Sequence, residues 1–374
     1  MQAESRWNWQ QSDWPRFRYD KSVLESSEAK FLLHGGLLRG ALLHIRDDDK
    51  SALTVELISD EAVKTSEIEG EFLNRESVQS SIRRNFGLAT DPRRISPVEQ
   101  GIADMMIDLY RTFAETLKHE TLFRWHSMIT ASRRDLKDTG AYRTHDEPMR
   151  VVSGPIGRER VHFEAPPSAV MENEMEGFVK WFNDTAPHGS TPLQALTRAG
   201  IAHLYFATIH PFEDGNGRIA RALAEKALSQ ALDQPMLIAL SQTVQKDRKI
   251  YYDLLERSNK DNEITAWLVY FADIVLRAQE TTQRMIDFLI QKTKLYDRVK
   301  NELNERQEKA LARIFREGLD GFKGGLSAEN YISITGAARA TATRDLQDLV
   351  EKEVLIRTGA LKSTRYHLNI VTRK

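Results

Sequence analysis

Apolar residues return at three- and four-residue intervals along most of this 374-residue chain, a spacing that predicts helices in nearly every segment and leaves little room for sheet. Helical runs are expected over residues 22–46, 51–69, 98–118, 170–183, 193–209, 218–230, 246–259 and 263–303, with Asn74 placed to cap another that reaches Arg84. One stretch breaks the pattern. Residues 139–167 hold Gly-Pro and Pro-Pro pairs and two short β-prone runs around Ser153-Gly154-Pro155, which predicts a hairpin or an exposed loop. Ahead of the helices lies an aromatic arm, Trp7, Trp9, Trp14, Phe17 and Tyr19, expected to pack its rings on the body.

A chain of this length usually folds as two or three domains. Residues 305–374 read as a separate one, with a helix near 307–317, a Gly-rich turn, NYISITG, the helical ARATATRDLQDLVEKEVL and two β-prone runs, LIRTG and STRYHL. That order predicts a winged helix-turn-helix. The remainder divides into the arm and first helix (1–48), a second helical region (49–97), a core (98–275) and a charged helical linker (276–304). The class is mainly α.

With 53 Lys and Arg against 54 Asp and Glu the net charge is -1, so no global field favours nucleic acid or an anionic membrane, and any polyanion site must be local. The chain has no cysteine, which excludes disulfides, thiolate nucleophiles and cysteine-ligated metals. The start, MQAESRWNWQQ, lacks a basic segment followed by an apolar run, and no stretch approaches the ~18 apolar residues of a membrane span. A cytoplasmic protein without a membrane partner is expected. Chemistry is left to His, carboxylates, hydroxyls or a bound metal.

The densest cluster of such groups is HPFEDGNGRIAR, residues 210–221. An apolar helix runs to Ile209, Pro211 stops it, and a glycine-bearing loop feeds a new helix beginning near Gly217. Free N–H groups and the positive dipole end at that start suit an anion, and Gly215 and Gly217 let backbone approach it without interference from Cβ. Arg218 and Arg221 are like charges set against the dipole, so an anionic partner is expected. Asp214 beside a polyphosphate calls for a cation between them, and Mg²⁺ takes one carboxylate together with phosphate oxygens. His210 can then accept the proton of an incoming hydroxyl at neutral pH. The parts together describe metal-assisted phosphoryl or nucleotidyl transfer.

HPFEDGNGRIAR resembles the HPFx(D/E)GNGRxxR signature of the Fic family at every specified position, within a likeness covering roughly residues 50–275. The resemblance implies a helical Fic fold with a β-hairpin flap at about residues 148–165, transferring AMP from ATP to a Ser, Thr or Tyr hydroxyl of a target protein or of the chain itself. It makes His210 the base, Asp214 the Mg²⁺ ligand, Gly215, Asn216, Gly217 and Arg218 the phosphate cradle, and Arg221 the γ-phosphate ligand, with Phe212 a core anchor. Tyr251, Tyr252 and Asn259 correspond to positions around adenine and ribose; core tyrosines and a capping Asn are the other reading. Val161, His162, Phe163 and Glu164 would line the nucleotide pocket, and the edge of the flap would align a target segment by backbone pairing. The family also suggests homodimers.

TSEIEGEFL, from Thr65, resembles the family's (S/T)xxxE(G/N) inhibitory motif through Thr65, Glu69 and Gly70. Gly70 is a plausible helix terminator, putting Glu69 in a last turn where the dipole disfavours negative charge. A cation should compensate. Glu69 is expected to pair with Arg221 and leave ATP bound with its α-phosphorus misaligned, an inhibition acting on geometry more than affinity. A solvated surface glutamate is the alternative. In some family members this glutamate also aligns water to remove AMP, so a reverse hydrolase activity is a further expectation.

In the C-terminal segment, Arg339, Thr341, Thr343 and Arg344 fall on the early turns of the expected recognition helix, with Arg357, Lys362 and Arg365 around the wing. Residues 305–374 carry 13 basic and 9 acidic side chains, a net of +4, so DNA and a docked protein both stand as partners there. The competing function is a DNA-binding transcriptional regulator whose Fic portion senses nucleotide. The intact His210 and Asp214 favour the enzyme, because a sensor needs neither a base nor a metal ligand.

Overall fold

In the computed structural model, which describes residues 6–88, 95–155, 158–236, 238–316, 322 and 324–370, the helical period becomes a succession of helices with two short hairpins. The first helices are α1 (Glu25–Leu42), α2 (Asp47–Ile68), α3 (Arg75–Asn85), α4 (Pro97–Thr112) and α5 (His119–Thr130). Asn74 caps α3 by accepting from the Ser77 N–H, and Ser96 with Glu99 forms a capping box ahead of Pro97. The hairpin β1 (Arg150–Ser153) and β2 (Arg160–Glu164) is antiparallel. After it come α6 (Met171–Asp184), α7 (Ala195–Ile209), α8 (Asn216–Leu232), α9 (Leu240–Lys246), α10 (Arg248–Ser258) and α11 (Thr265–Arg298). The chain continues through α12 (Glu305–Arg316), α13 (Ala328–Thr335) and α14 (Arg339–Glu351) to the hairpin β3 (Leu355–Thr358) and β4 (Arg365–Leu368).

Two expectations change. The helix expected over residues 98–118 stops at Thr112, and α5 follows a connector whose Leu117 N–H and carbonyl bond both ends of the Asn183 amide at 2.9 Å. The helix expected over 246–259 is α10 and begins at Arg248, because Lys246 closes α9 and the backbone leaves helical geometry at Asp247, whose carboxylate pairs with Arg277 of α11.

The chain divides into two compact units, Met1–Leu37 with Ser51–Glu280, and Leu38–Lys50 with Thr281–Lys374. In the first, every residue of α7 except Ala207 is buried, as befits a helix surrounded by others. Trp267 donates its indole N–H to the Gly200 carbonyl at 2.8 Å, and a Cβ at Gly200 would fall 2.7 Å from Leu268. The aromatic arm packs here: Trp14 and Phe17 meet the Tyr205 ring edge-on at 5.1 and 5.7 Å. Such edge-on pairs add ~0.5–1.5 kcal/mol each beyond burial. The Asn8 N–H donates to the Asn259 carbonyl at 2.8 Å, tying the arm to the end of α10.

In the second unit, Leu311 and Ile314 of α12, Tyr331 of α13, Leu346 and Leu349 of α14 and Leu355 of β3 share one core. Leu326 adds a two-bond bridge to Tyr366 beside the β3–β4 pair. Asp345 collects the Tyr331 hydroxyl at 3.0 Å and Arg306 at 2.8 Å. Arg339, Thr343 and Arg344 lie exposed on one side of α14, Thr341 is half-buried, and Arg357 and Arg365 stand on the hairpin. The side chain of Lys362 is outside the described residues.

Candidate active site

The site begins where α7 ends. Pro211 offers no N–H to prolong the helix, and His210 takes the left-handed conformation at φ 52°, an uncommon one for a residue with a side chain. Arg143 holds it there. This arginine is 1 % exposed and has no carboxylate partner among the described residues; it donates to the carbonyls of His210 (2.9 Å) and Pro166 (2.5 Å) and to the Ser168 hydroxyl (2.8 Å). Burial pulls its guanidinium down to about 10, still charged at neutral pH. Asn216 closes the loop by accepting from the Phe212 N–H at 3.0 Å and donating to the Phe212 carbonyl at 2.7 Å, while Phe212 stacks on His126 at 4.1 Å.

The His210 ring is half-buried, and its Nδ1 lies 3.2 Å from the Ala207 carbonyl. A carbonyl only accepts, so Nδ1 carries the proton and Nε2 keeps its lone pair. Burial lowers the ring's pKa to about 4, so it is neutral at physiological pH and presents a base.

The N-terminus of α8 forms the next wall. Gly215 sits at φ 82°, and a Cβ there would meet Ile129 at 2.6 Å. Arg218 and Arg221 point inward from the first turns, 5 % and 1 % exposed. Both are held by acids from the far end of α2. That helix terminates in a Schellman turn, with Gly70 at φ 87°, the Gly70 N–H bonded to the Glu67 carbonyl and the Glu71 N–H to that of Ser66. Glu69 lies 2.8 Å from Arg221 Nη2, and Thr65 accepts from Arg221 Nε at 2.7 Å and from Nη2, through its carbonyl, at 2.8 Å. Burial acts to lower the Arg221 guanidinium, but the facing Glu69 carboxylate together with Tyr251 and Tyr252 more than reverses it, and the net shift is upward. Glu71 meets Arg218 at 2.7 Å. Arg221 Nη1 and Arg218 Nε, both buried, have no acceptor among the described residues, so donors remain that an anion would satisfy. A Cβ on Gly217 would sit 2.2 Å from Glu69 Oε1, so the bare backbone of that glycine is what admits the carboxylate.

Asp214 bonds the Gly215 N–H through Oδ1 at 2.6 Å and pairs with Arg133 through Oδ2. Among the described residues no cluster of three or more His, Asp or Glu side chains could hold a metal. A divalent ion at Asp214 would therefore take its other ligands from phosphate and water, a donor set that suits Mg²⁺.

The remaining predicted residues separate. Tyr252 faces the clamp, its hydroxyl 3.2 Å from the Ile68 carbonyl and 3.5 Å from Glu69 Oε2. Tyr251 turns into the core, 3 % exposed, and bonds His203 at 3.0 Å. Asn259 is buried, with Oδ1 accepting from Thr208 at 3.2 Å. On the hairpin, Phe163 is 2 % exposed and packs edge-on against Trp7 at 5.4 Å, with Val161 against the same small cluster. Glu164 pairs with Arg150 at 2.7 Å, and His162 turns to Glu256 at 2.7 Å. Phe163 thus joins a small core, because alternation along β2 sends it to the buried face. Sequence reasoning missed Arg143, Arg133 and Glu71. The EGE run around Gly70 was a usable signal for Glu71; a buried arginine without an acidic partner leaves none.

Residues 116–228 match the Fic/DOC family, and residues 7–88 match a domain of unknown function (DUF4172). The chain thus carries a Fic/DOC domain. Among curated proteins, "Protein adenylyltransferase Fic" of Nematostella vectensis is 30% identical over 126 residues, 34% of this chain and 26% of that protein. The protein of the same name in Drosophila melanogaster is 35% identical over 99 residues, 26% of this chain and 18% of its own length. The matches therefore span about a quarter or less of those relatives. Among solved structures, a Fic family protein from Desulfovibrio desulfuricans superposes with a TM-score of 0.54 at 18% identity, covering 96% of this chain and 99% of that one. Fic-1 from C. elegans gives 0.50 at 20% identity, covering 73% of this chain and 75% of its own. The fold is the helical Fic fold.

Proposed function

We propose that this chain is a protein adenylyltransferase that moves AMP from ATP to Ser, Thr or Tyr hydroxyls and is held off by its own α2. The observation that carries the reading is a neutral His210 with a free Nε2 at the rim of an anion cradle whose two arginines are occupied by Glu69 and Glu71. In the reaction, His210 Nε2 takes the proton of the acceptor hydroxyl as its oxygen attacks the α-phosphorus, and pyrophosphate leaves with the electrons of the broken bond to the bridging oxygen. The α8 N–H groups and Arg218 hold phosphate oxygens, and Arg221, once released, holds the γ-phosphate. Asp214 would hold Mg²⁺, which when bound neutralises phosphate charge between carboxylate and nucleotide. The exposed β1 edge would align a target segment by backbone pairing. The similar proteins of Nematostella vectensis and Drosophila melanogaster, both named as protein adenylyltransferases, support the chemistry. Labelling of lysate proteins by the Glu69→Gly variant with α-phosphate-labelled ATP and Mg²⁺, lost in Glu69→Gly/His210→Ala, tests the reading; an unlabelled lysate refutes it.

The exposed Arg339 and Arg344 on α14 favour a second activity, duplex DNA binding by a winged helix in residues 305–374. A salt-dependent mobility shift of duplex DNA tests it, and its absence at low salt removes it.

A further inference from the structure

Two side chains of the hairpin and one of α10 stand in a line. Ser153 Oγ lies 2.6 Å from His162 Nε2, and His162 Nδ1 lies 2.7 Å from Glu256 Oε2. Donor and acceptor roles follow from the end of the chain. Glu256 also receives Arg160 at 2.9 Å and Lys260 at 3.0 Å, and its hydrogen bond from His162, with those two behind it, lowers its pKa to about 2. A carboxylate so held only accepts, so His162 Nδ1 donates; with a single proton on the ring, Nε2 accepts and the Ser153 hydroxyl donates to it. This is the order of a serine relay: hydroxyl, imidazole, orienting acid.

The backbone is shaped for it. Val151 pairs with Phe163 but Val152 pairs with Val161, so His162 is the extra residue of a β-bulge, a device that re-aims one side chain out of the regular alternation. The acid of the relay shares a helix with a side chain that reaches the clamp. Tyr252 and Glu256 are four apart on α10 and share a face at roughly 5–6 Å between Cβ atoms; Tyr252 reaches Glu69 at 3.5 Å, and Glu69 holds Arg221.

We propose that Ser153 is a self-modification site, a hydroxyl primed by its own base to accept AMP from ATP; this rests on the adenylyl-transfer reading above. Ser153 Oγ gives its proton to His162 Nε2 and forms a bond to the α-phosphorus, the bond from that phosphorus to the bridging oxygen of the β-phosphate breaks, and pyrophosphate leaves with the electron pair. Glu256 holds the imidazolium that forms. Because all four residues of β1 are exposed, an AMP on its last residue would stand at the strand edge where a target segment would pair, so the modification would also reduce labelling of targets.

The test is peptide mapping by mass spectrometry of the full-length Glu69→Gly protein after incubation with ATP and Mg²⁺. AMP on Ser153 is expected, with Ser153→Ala removing that peptide's label and raising the labels on other proteins. His162→Gln should slow Ser153 labelling about 10²-fold or more, the usual contribution of a general base. AMP found on other hydroxyls but not on Ser153 overturns this proposal and leaves the enzymatic reading standing, as does Ser153 labelling at an unchanged rate in His162→Gln. AMP found nowhere, on this chain or on lysate proteins, overturns both.

Discussion

Replacing Glu69 by glycine removes one contact of the clamp and leaves the rest, so its effect can be worked through. Glu69 supplies Arg221 with a charge-assisted hydrogen bond at 2.8 Å, while Thr65 continues to supply two more. A hydrogen bond to a charged group is worth ~1.5–3 kcal/mol. The Glu69 side chain is 29% exposed against 2% for Arg221, which argues for the lower part of that range. At ~1.4 kcal/mol per factor of ten, release of Arg221 should become roughly 10- to 30-fold more populated. Initial rates of lysate labelling at saturating ATP should rise by that factor. The dissociation constant for ATP should change less than about threefold, because the lost contact governs alignment more than binding. Glu69→Gln keeps an acceptor without the charge and should fall between. A flat rate across the series, or a gain residing wholly in ATP affinity, would refute the clamp argument.

Three further outcomes follow from the same contacts. Burial puts His210 at about 4, and the proton-accepting form exists above that value, so kcat/KM should hold from neutral pH downward and fall only near pH 4; a midpoint near ~6.5 would show an unburied ring. Arg143→Met leaves three acceptors around the His210 turn, one buried and two part-buried, without their donor, and a loss of ~3 kcal/mol would lower the melting temperature by about 6–12 °C for a unit of this size. Calorimetry checks this, and an unchanged transition contradicts it. Glu61 of α2 and Glu225 of α8 face each other in the core, and desolvation raises both, Glu225 well above 4.5. The folded state therefore binds a proton that the unfolded chain has released, so stability falls as pH rises above 4.5 toward the folded value. Denaturant unfolding of Glu225→Gln should show a gain over the parent at pH ~7.5 that vanishes near pH ~4.5; an equal difference at both would contradict the shared proton.

Much of this arrangement was legible because it depends on short-range rules. The turn from α7 to α8 follows from Pro211 and two glycines, and the end of α2 follows from Gly70, so the positions of His210, Arg221 and Glu69 relative to their own helices could be read directly. Pairing between Glu69 and Arg221 was expected from the motif and is present at 2.8 Å. Other features depend on partners far along the chain. Tyr251 and Tyr252 are neighbours, yet successive helical residues diverge by ~100°, so one bonds His203 in the core while the other faces the clamp. Asp247 separates α9 from α10 without proline or glycine, and the arginine that engages its carboxylate, Arg277, comes thirty residues on. Leu122, Trp125 and Ile129 did carry a readable helical spacing in α5, whereas Arg143 satisfies backbone carbonyls that no side-chain pattern announces.

The central claim is that Arg221 cannot serve Glu69 and a triphosphate at once. Crystal structures of the wild-type chain and of Glu69→Gly, each soaked with a non-hydrolysable ATP analogue and Mg²⁺, measure this directly. The account predicts Arg221 on Glu69 in the wild type with the α-phosphate out of line with His210, and Arg221 on the γ-phosphate in the variant with the α-phosphorus open to an acceptor beside Nε2. Arg221 bound to the γ-phosphate in both, or an empty cradle in both, would contradict it.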